Sequence, residues 1–206
     1  MAERLFAPLD MTDTGFYVPP EKIDRLATAY ARAEEDGGLT VYDPGRDGNY
    51  SKPPAFASGG GGLVSTADDV LTFSRLLLAG GRHGAQRLLT EASVTQMVTD
   101  QLTPEQKAAS TALDLFLDGH GWGFGMTVLT SDDGAGLSAG SYGWDGGFGP
   151  SYRADPAFGL TTVLLTQRLM SGPNDVAING EFRALARQAF QDRERRGGLF
   201  SGRGTS

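Results

Sequence analysis

The sequence predicts an α+β fold: an antiparallel sheet carrying a packed C-terminal helix, joined to part of a helical subdomain. Three observations carry that prediction. Four strand-like runs crowd into residues 122–167 with only turn residues between them, a spacing that leaves neighbours antiparallel. One amphipathic stretch, residues 175–193, follows the last of them. Ahead of the strands, a helix-start signal at Ser65-Thr66-Ala67-Asp68-Asp69 and a Gly80-Gly81 stop bracket a run with helical spacing.

Taken in order, residues 2–7 read as the last turns of a helix halted by Pro8, because proline forces its predecessor out of helical angles. Between residues 23 and 42 two readings stand. Propensity favours a helix over 23–35, whereas 26–30 and 39–42 flank Glu34-Glu35-Asp36-Gly37-Gly38 as strands flank a turn; the hairpin is adopted. Residues 43–62 hold Pro44, Gly45, Gly48, Pro53, Pro54 and Gly59 to Gly62, too much punctuation for a regular element, and read as a long loop. The helix after Thr66 gains from a hydroxyl that caps free amides and from two carboxylates at the positive end of its dipole. Val70, Leu71, Phe73, Ser74, Leu77 and Leu78 carry its spacing.

A second helix runs from Glu91, capped by Thr90, to about Leu102, and residues 104–120 stay ambiguous, with a helical turn at 112–117. After His120 the period changes. Trp122, Phe124, Met126 and Val128 alternate with small residues as one strand, and 138–144, 150–154 and 159–167 supply three more. In the final helix Val176, Ile178, Phe182, Leu185, Ala186 and Ala189 share one side. Residues 197–206 read as a flexible tail, leaving 1–196 as the folded segment.

Composition narrows the function. With 25 acidic against 18 basic residues and a net charge of −7, the chain has no basic face for phosphates, so no nucleic acid partner is expected. The absence of cysteine excludes disulfides and thiolate metal sites while leaving the compartment open; localisation is unknown. The longest apolar run, Leu76-Leu77-Leu78-Ala79, is far short of the roughly 18 residues of a spanning helix. Met1-Ala2-Glu3-Arg4 does not resemble a secretion signal, so a soluble chain with no membrane span is expected. His83 and His120 stand apart with no H-E-x-x-H spacing, and neither a metal nor a cofactor is expected.

Two motif matches fail on context. Gly136-Leu137-Ser138-Ala139-Gly140 fits the G-x-S-x-G nucleophile pattern, but that elbow needs a helix after its serine and a histidine downstream. Here more strand follows and both histidines precede Ser138, so the match reads as a plain turn. The run Ser58 to Gly62 lacks the lysine and hydroxyl of a phosphate loop and reads as a close approach of backbone to a neighbouring element. Tyr142-Gly143-Trp144-Asp145-Gly146-Gly147 is more informative. It is either a glycine-rich hairpin with a core tryptophan or an active-site wall, where bare backbone admits a substrate carbonyl and an amide donates to a developing oxyanion.

Three stretches, Pro8 to Phe16, Ser58 to Val70 and Gly143 to Gly147, together resemble the C-terminal half of the serine β-lactamase and penicillin-binding-protein superfamily, in its class C-like and esterase branch. The resemblance spans the chain to about Phe190. It implies that Trp144-Asp145-Gly146 stands where the family carries a third motif such as K-T-G, and that Gly147 gives one oxyanion amide. Tyr142, Trp144, Asp145 and Gly146 then become substrate-binding candidates. In such enzymes a serine and lysine in S-x-x-K provide nucleophile and base, and a tyrosine in Y-x-N assists. Neither motif occurs in this sequence, so both are expected to lie before Met1.

The resemblance thus implies an incomplete β-lactamase-like fold with an uncovered sheet edge and apolar face, in need of a separately encoded N-terminal segment or a second copy of the chain, or with no natural partner if the chain is a truncated gene product. Alone, such a chain binds without turnover, because an acyl-transfer site without nucleophile and base keeps only oxyanion stabilisation. Trp144 offers no cation for a β-lactam carboxylate and Asp145, if it faced the site, would repel one, which favours an ester or amide substrate. Arg153 on the next strand is a candidate for restoring positive charge. Two competing expectations remain: a non-catalytic binding or interaction protein derived from the same fold, and unaided ester hydrolysis through Ser138 or Ser151.

Overall fold

A computed structural model describes residues 1–33, 37–110, 119–134, 136–172 and 175–201, with side chains as far as residue 195. The expected helical turn at 112–117 and the tip of the first hairpin, 34–36, lie outside the described residues. Among the described residues no helix is long and apolar enough to cross a membrane.

The chain opens with a helical turn, Ala2–Phe6, that tightens at Ala7–Leu9 around Pro8 and ends at Asp10 with φ 55°. Phe6, Leu9 and Met11 bury themselves there against Leu76. A further turn, Pro20–Arg25, precedes β1 (Ala29–Arg32), which pairs antiparallel with β2 (Leu39–Asp43); the hairpin reading therefore holds. Residues 44–66 are mostly irregular, with one turn at Asn49–Ser51. The glycine run departs from its expectation. Nothing approaches Gly61, and the one tight contact, Gly62 against the Ser58 carbonyl, lies within the same turn.

Helix α1 (Ala67–Leu78) starts as its sequence dictates, the Thr66 hydroxyl accepting from the Asp69 amide. A small hairpin, β3 (Arg82–His83) with β4 (Gln86–Arg87), follows and takes His83 into a strand. Helix α2 (Glu91–Met97) is shorter than expected because the Met97 carbonyl is taken by the Phe124 amide at 3.0 Å. Helix α3 (Pro104–Ala108) fills part of the ambiguous region behind a Thr103–Gln106 capping box.

The five-stranded sheet is a simple meander, β5 (His120–Trp122), β6 (Thr127–Leu129), β7 (Tyr142–Asp145), β8 (Ser151–Asp155) and β9 (Leu160–Leu164), all antiparallel. The run read as one strand from Trp122 to Val128 is two, folded back at Gly125, whose φ of 84° only glycine adopts freely. Strand β9 is an edge, as the resemblance implied. One face of the sheet meets α1 and α2, where Leu77, Val94, Met126, Val128, Tyr142 and Ala154 form the main core. Ser74 and Thr161 share a hydrogen bond of 2.6 Å across that contact.

The other face meets α4 (Ala177–Ser201), and here the amphipathic reading is corrected. Ile178 and Leu185 are 52% and 65% exposed. The helix instead turns Asn179, Arg183 and Arg187 inward, because this sheet face presents the carboxylates of Asp145 and Asp155. Arg183 reaches Asp145 at 3.5 Å and Ser151 at 3.3 Å; Arg187 reaches Asp155 at 3.3 Å and lies over the Phe158 ring. A buried carboxylate without a cation costs far more than a leucine left in water, so pairing outranks apolar matching. The α4 backbone stays helical past Gly197, the expected start of the tail, to Ser201.

Two measurements test this packing. Leu77→Ala, in the α1 contact, is expected to lower unfolding free energy by about 2–5 kcal/mol, while Leu185→Ala changes it by less than about 0.5 kcal/mol in urea titration. Burial pushes the Tyr152 phenol up to about 12. The folded phenol then keeps its proton where an unfolded one, near pH 10, releases it. That contribution is full below about pH 10 and is lost as pH rises toward 12, so the urea midpoint is expected to fall across this window and to fall less in Tyr152→Phe.

Candidate functional site

The β7–β8 turn is the centre of the candidate site, and hydrogen bonds donated by Gly146, Gly149 and Met170 hold its backbone. Gly146 donates its amide to the Pro150 carbonyl and Gly149 donates to Gly146, each at 2.8 Å. At Gly149 φ is 91°, and a side chain there would strike the Thr166 hydroxyl and the Arg168 carbonyl, so glycine is required twice over. The Gly147 carbonyl accepts from the Met170 amide at 2.9 Å. Its own N–H has no hydrogen-bond partner among the described residues and sits in an exposed position.

Aromatic contacts brace the tip. Phe148 meets Tyr42 edge-on at 5.9 Å and Tyr50 edge-on at 6.2 Å. Tyr42 belongs to β2 and Tyr50 to the Asn49–Ser51 turn, so a strand of the first hairpin and the segment read as a long loop together fix the glycine turn from outside. Behind the turn lies a cleft of about 120 Å³ lined in part by Gly149, Thr166, Arg168 and Asn179. It is well below the roughly 300–1,000 Å³ of a small-molecule pocket. Its arginine is spoken for, since Arg168 binds Asp175 through two hydrogen bonds of 2.8 and 3.0 Å. The carboxyl of Asp175 is held well below the ordinary range by that guanidinium and by the Ser171 amide.

The candidates separate by side. Trp144 is 41% exposed and meets Trp122 edge-on at 4.9 Å, so it is not the core tryptophan of the hairpin reading. Asp145 turns inward. Arg153 donates to it at 2.9 Å and Arg183 lies on its other oxygen, so the carboxylate does not repel a ligand at the turn. Arg153 is accordingly no source of positive charge for the site. It is 6% exposed, and burial pulls its guanidinium below the ordinary range while Asp145 opposes the shift. Tyr142 is 1% exposed in the α1 core, its phenol pushed up by burial and its hydroxyl unpartnered among the described residues, which removes it from ligand contact. Gly146 and Gly147 remain at the surface of the turn.

The serines offer no alternative centre. Ser138 lies in the β6–β7 loop with its amide on Asp155 at 3.2 Å, and strand β7 follows it where an elbow requires a helix. Ser151 is 4% exposed on β8, and its hydroxyl accepts from Arg183, a group unable to take a proton. Among the described residues no group of three or more His, Asp or Glu side chains could hold a metal.

The other two resembling stretches zip together as structure. Gly15 and Val64 exchange backbone hydrogen bonds of 3.1 and 2.9 Å. Asp69 accepts from the Asp13 amide at 3.0 Å and the Thr14 hydroxyl at 2.8 Å, while Asp13 itself takes Lys22 and both arms of Arg25. Sequence reading missed Trp122, Phe148, Tyr42, Tyr50 and Arg183. Only Trp122 carried a signal, being the chain's other tryptophan.

Comparison with known proteins follows the same outline. A family model described as Beta-lactamase matches residues 1–187. Protein Rv1367c of Mycobacterium tuberculosis (strain ATCC 25618 / H37Rv) is 40% identical over 172 residues, 80% of this chain and 42% of that protein. Esterase EstB of Burkholderia gladioli is 29% identical over 192 residues, 83% of this chain and 45% of the esterase. The solved structure of EstCE1, described as a hydrolase with promiscuous acyltransferase activity, aligns with a TM-score of 0.68 and 26% identity over 91% of this chain and 49% of its own. The chain therefore spans less than half the length of the curated relatives it matches. With 187 residues inside the family model and the sheet, helix and glycine turn in place, the chain belongs to the Beta-lactamase family, within the serine β-lactamase and penicillin-binding-protein superfamily.

Proposed function

We propose that this chain supplies the carbonyl-binding part of an acyl-transfer hydrolase of esterase or amidase type. One observation carries the reading: the Gly147 N–H is exposed and, among the described residues, unpartnered, in a turn held by the Gly146, Gly149 and Met170 hydrogen bonds. An amide held this way stabilises a developing oxyanion without reorganising, which is where electrostatic catalysis gains most. The relatives named an esterase and a hydrolase with acyltransferase activity support the same chemistry.

The attacking group comes from elsewhere in this proposal. No S-x-x-K and no Y-x-N occurs in the sequence; Asp155 takes the Ser138 amide, and the group on the Ser151 hydroxyl is Arg183, which is no base. A segment bearing those motifs completes the site, packing over the β9 edge and the exposed Leu165, Ile178 and Leu185, which are 52%, 52% and 65% accessible. Ester or amide substrates are favoured over β-lactams carrying a carboxylate, because Trp144 stands at the third-motif position and the nearby arginines are committed to Asp145.

Hydrolysis of p-nitrophenyl butyrate tests the reading. The isolated chain is expected to give no turnover above the spontaneous rate, and a chain mixed with a segment of family sequence carrying S-x-x-K and Y-x-N is expected to give it. In that mixture Gly147→Pro, which deletes the amide hydrogen, is expected to cut kcat by about 10²–10³-fold. Turnover by the isolated chain that disappears in Ser138→Ala or Ser151→Ala would overturn the proposal.

A further inference from the structure

We infer that Trp122 and Trp144 form an aromatic corner that holds a flat, uncharged aromatic group of the ligand whose carbonyl meets Gly147. The position of that carbonyl rests on the proposed function; the corner itself rests on its own geometry. The two indoles stand at 77° with centroids 4.9 Å apart, so they present two aromatic surfaces nearly at right angles. A flat ring entering such a corner stacks on one surface and meets the other edge-on, the two arrangements aromatic quadrupoles favour. Trp144 keeps 41% of its surface in water, which leaves room for a ligand against the pair, and Phe124, two residues beyond Trp122, keeps 57%.

Both rings are carried on fixed backbone. The Trp122 amide donates to the Asp100 carboxylate at 3.0 Å and its carbonyl accepts from the Gln101 amide at 2.8 Å, which ties β5 to the segment between α2 and α3. Trp144 lies within β7, opposite Tyr152 of β8. Little conformational freedom is then lost when a ligand arrives. The charges around the corner are matched: Asp100 pairs with Lys107, and Asp145 faces inward between Arg153 and Arg183. With no uncommitted cation from those groups at the corner, an anionic ligand gains nothing there, whereas a neutral aryl ring gains dispersion and quadrupole contact.

The chain contains two tryptophans, and they are this pair, so their side-chain N–H resonances report on the corner alone. The test titrates the full ¹⁵N-labelled chain with phenyl acetate and with cyclohexyl acetate, which have the same number of carbons and differ in flatness and aromaticity. Following the two indole signals and the Gly147 amide separates the corner from the carbonyl site. Phenyl acetate is expected to shift both indoles and to bind about 2- to 10-fold more tightly than cyclohexyl acetate. Trp122→Leu and Trp144→Leu are each expected to abolish that preference while the Gly147 amide still responds. Trp144→Phe, a milder change should the leucine variant unfold, is expected to keep part of it.

Equal affinity for the two esters, or a Gly147 response with unmoved indoles, overturns the corner and leaves the carbonyl site standing. Indole shifts with an unmoved Gly147 keep the corner and overturn the carbonyl site. Silence at all three signals overturns both.

Discussion

The Asp145 carboxylate, held between Arg153 and Arg183, is the constraint on which the arrangement depends. It sits at the last residue of β7, where the sheet gives way to the glycine turn, and its two partners come from β8 and α4. One charge thus joins adjacent strands, the covering helix and the base of the turn. Such a cluster adds little net stability, since desolvation offsets most of the Coulombic gain, but it allows few alternative packings. Sliding α4 by one turn, or β8 by one pair, would leave a buried arginine or a buried carboxylate alone, at a cost of several kcal/mol. That is why α4 leaves Leu185 in water to bring Arg183 and Arg187 inward, and why the glycine turn leaves the sheet from a fixed point.

From that point outward, rigidity comes from backbone. Glycine carries no side chain to anchor a turn, so a run of glycines is ordinarily a flexible segment. Here several groups are held by different neighbours: the Gly146 amide by Pro150, the Gly147 carbonyl by Met170, the Gly149 amide by Gly146, and the Phe148 ring by those of Tyr42 and Tyr50. Among the described residues the exposed Gly147 N–H has no partner. An exposed backbone donor of this kind is a minor loss in water, and in the proposed function it gains when charge develops on a bound carbonyl oxygen.

How much of this the sequence revealed depended on whether the deciding force was local. The α1 start was legible because Thr66 and the two aspartates act within one turn of the helix. The β1–β2 hairpin was legible from its glycines, and the antiparallel order of β7, β8 and β9 from the short spacing of its breakers. Where a distant partner decided, the reading failed. Helix α2 stops at Met97 because Phe124, far along the chain, takes its carbonyl. The α4 face was misassigned because its inward residues answer carboxylates on strands some thirty residues earlier, which no hydrophobic period records. Trp144 was assigned to the right segment, but whether it was core or surface depended on Trp122, two strands away in the sheet order.

The site's chemistry follows from where charge has been put. Around the glycine turn Asp145, Arg153 and Arg183 pair with one another on the α4 side of the sheet, and the exposed groups include the Gly147 amide and the Trp144 indole. A surface of that kind suits the neutral carbonyl compound of the proposed function, since the described charges beside it, Asp145, Arg153 and Arg183, are committed to one another. The Ser151 hydroxyl on this side of the sheet accepts from Arg183, a cation that cannot take its proton. In the proposed function the group that holds the carbonyl and the group that attacks it stand on separate supports, and their reacting atoms must meet at about 3–3.5 Å. The tolerance for error is then small, and on this chain's side it is the buried Asp145 cluster, tying β7, β8 and α4 together at the base of the turn, that fixes where the Gly147 amide lies.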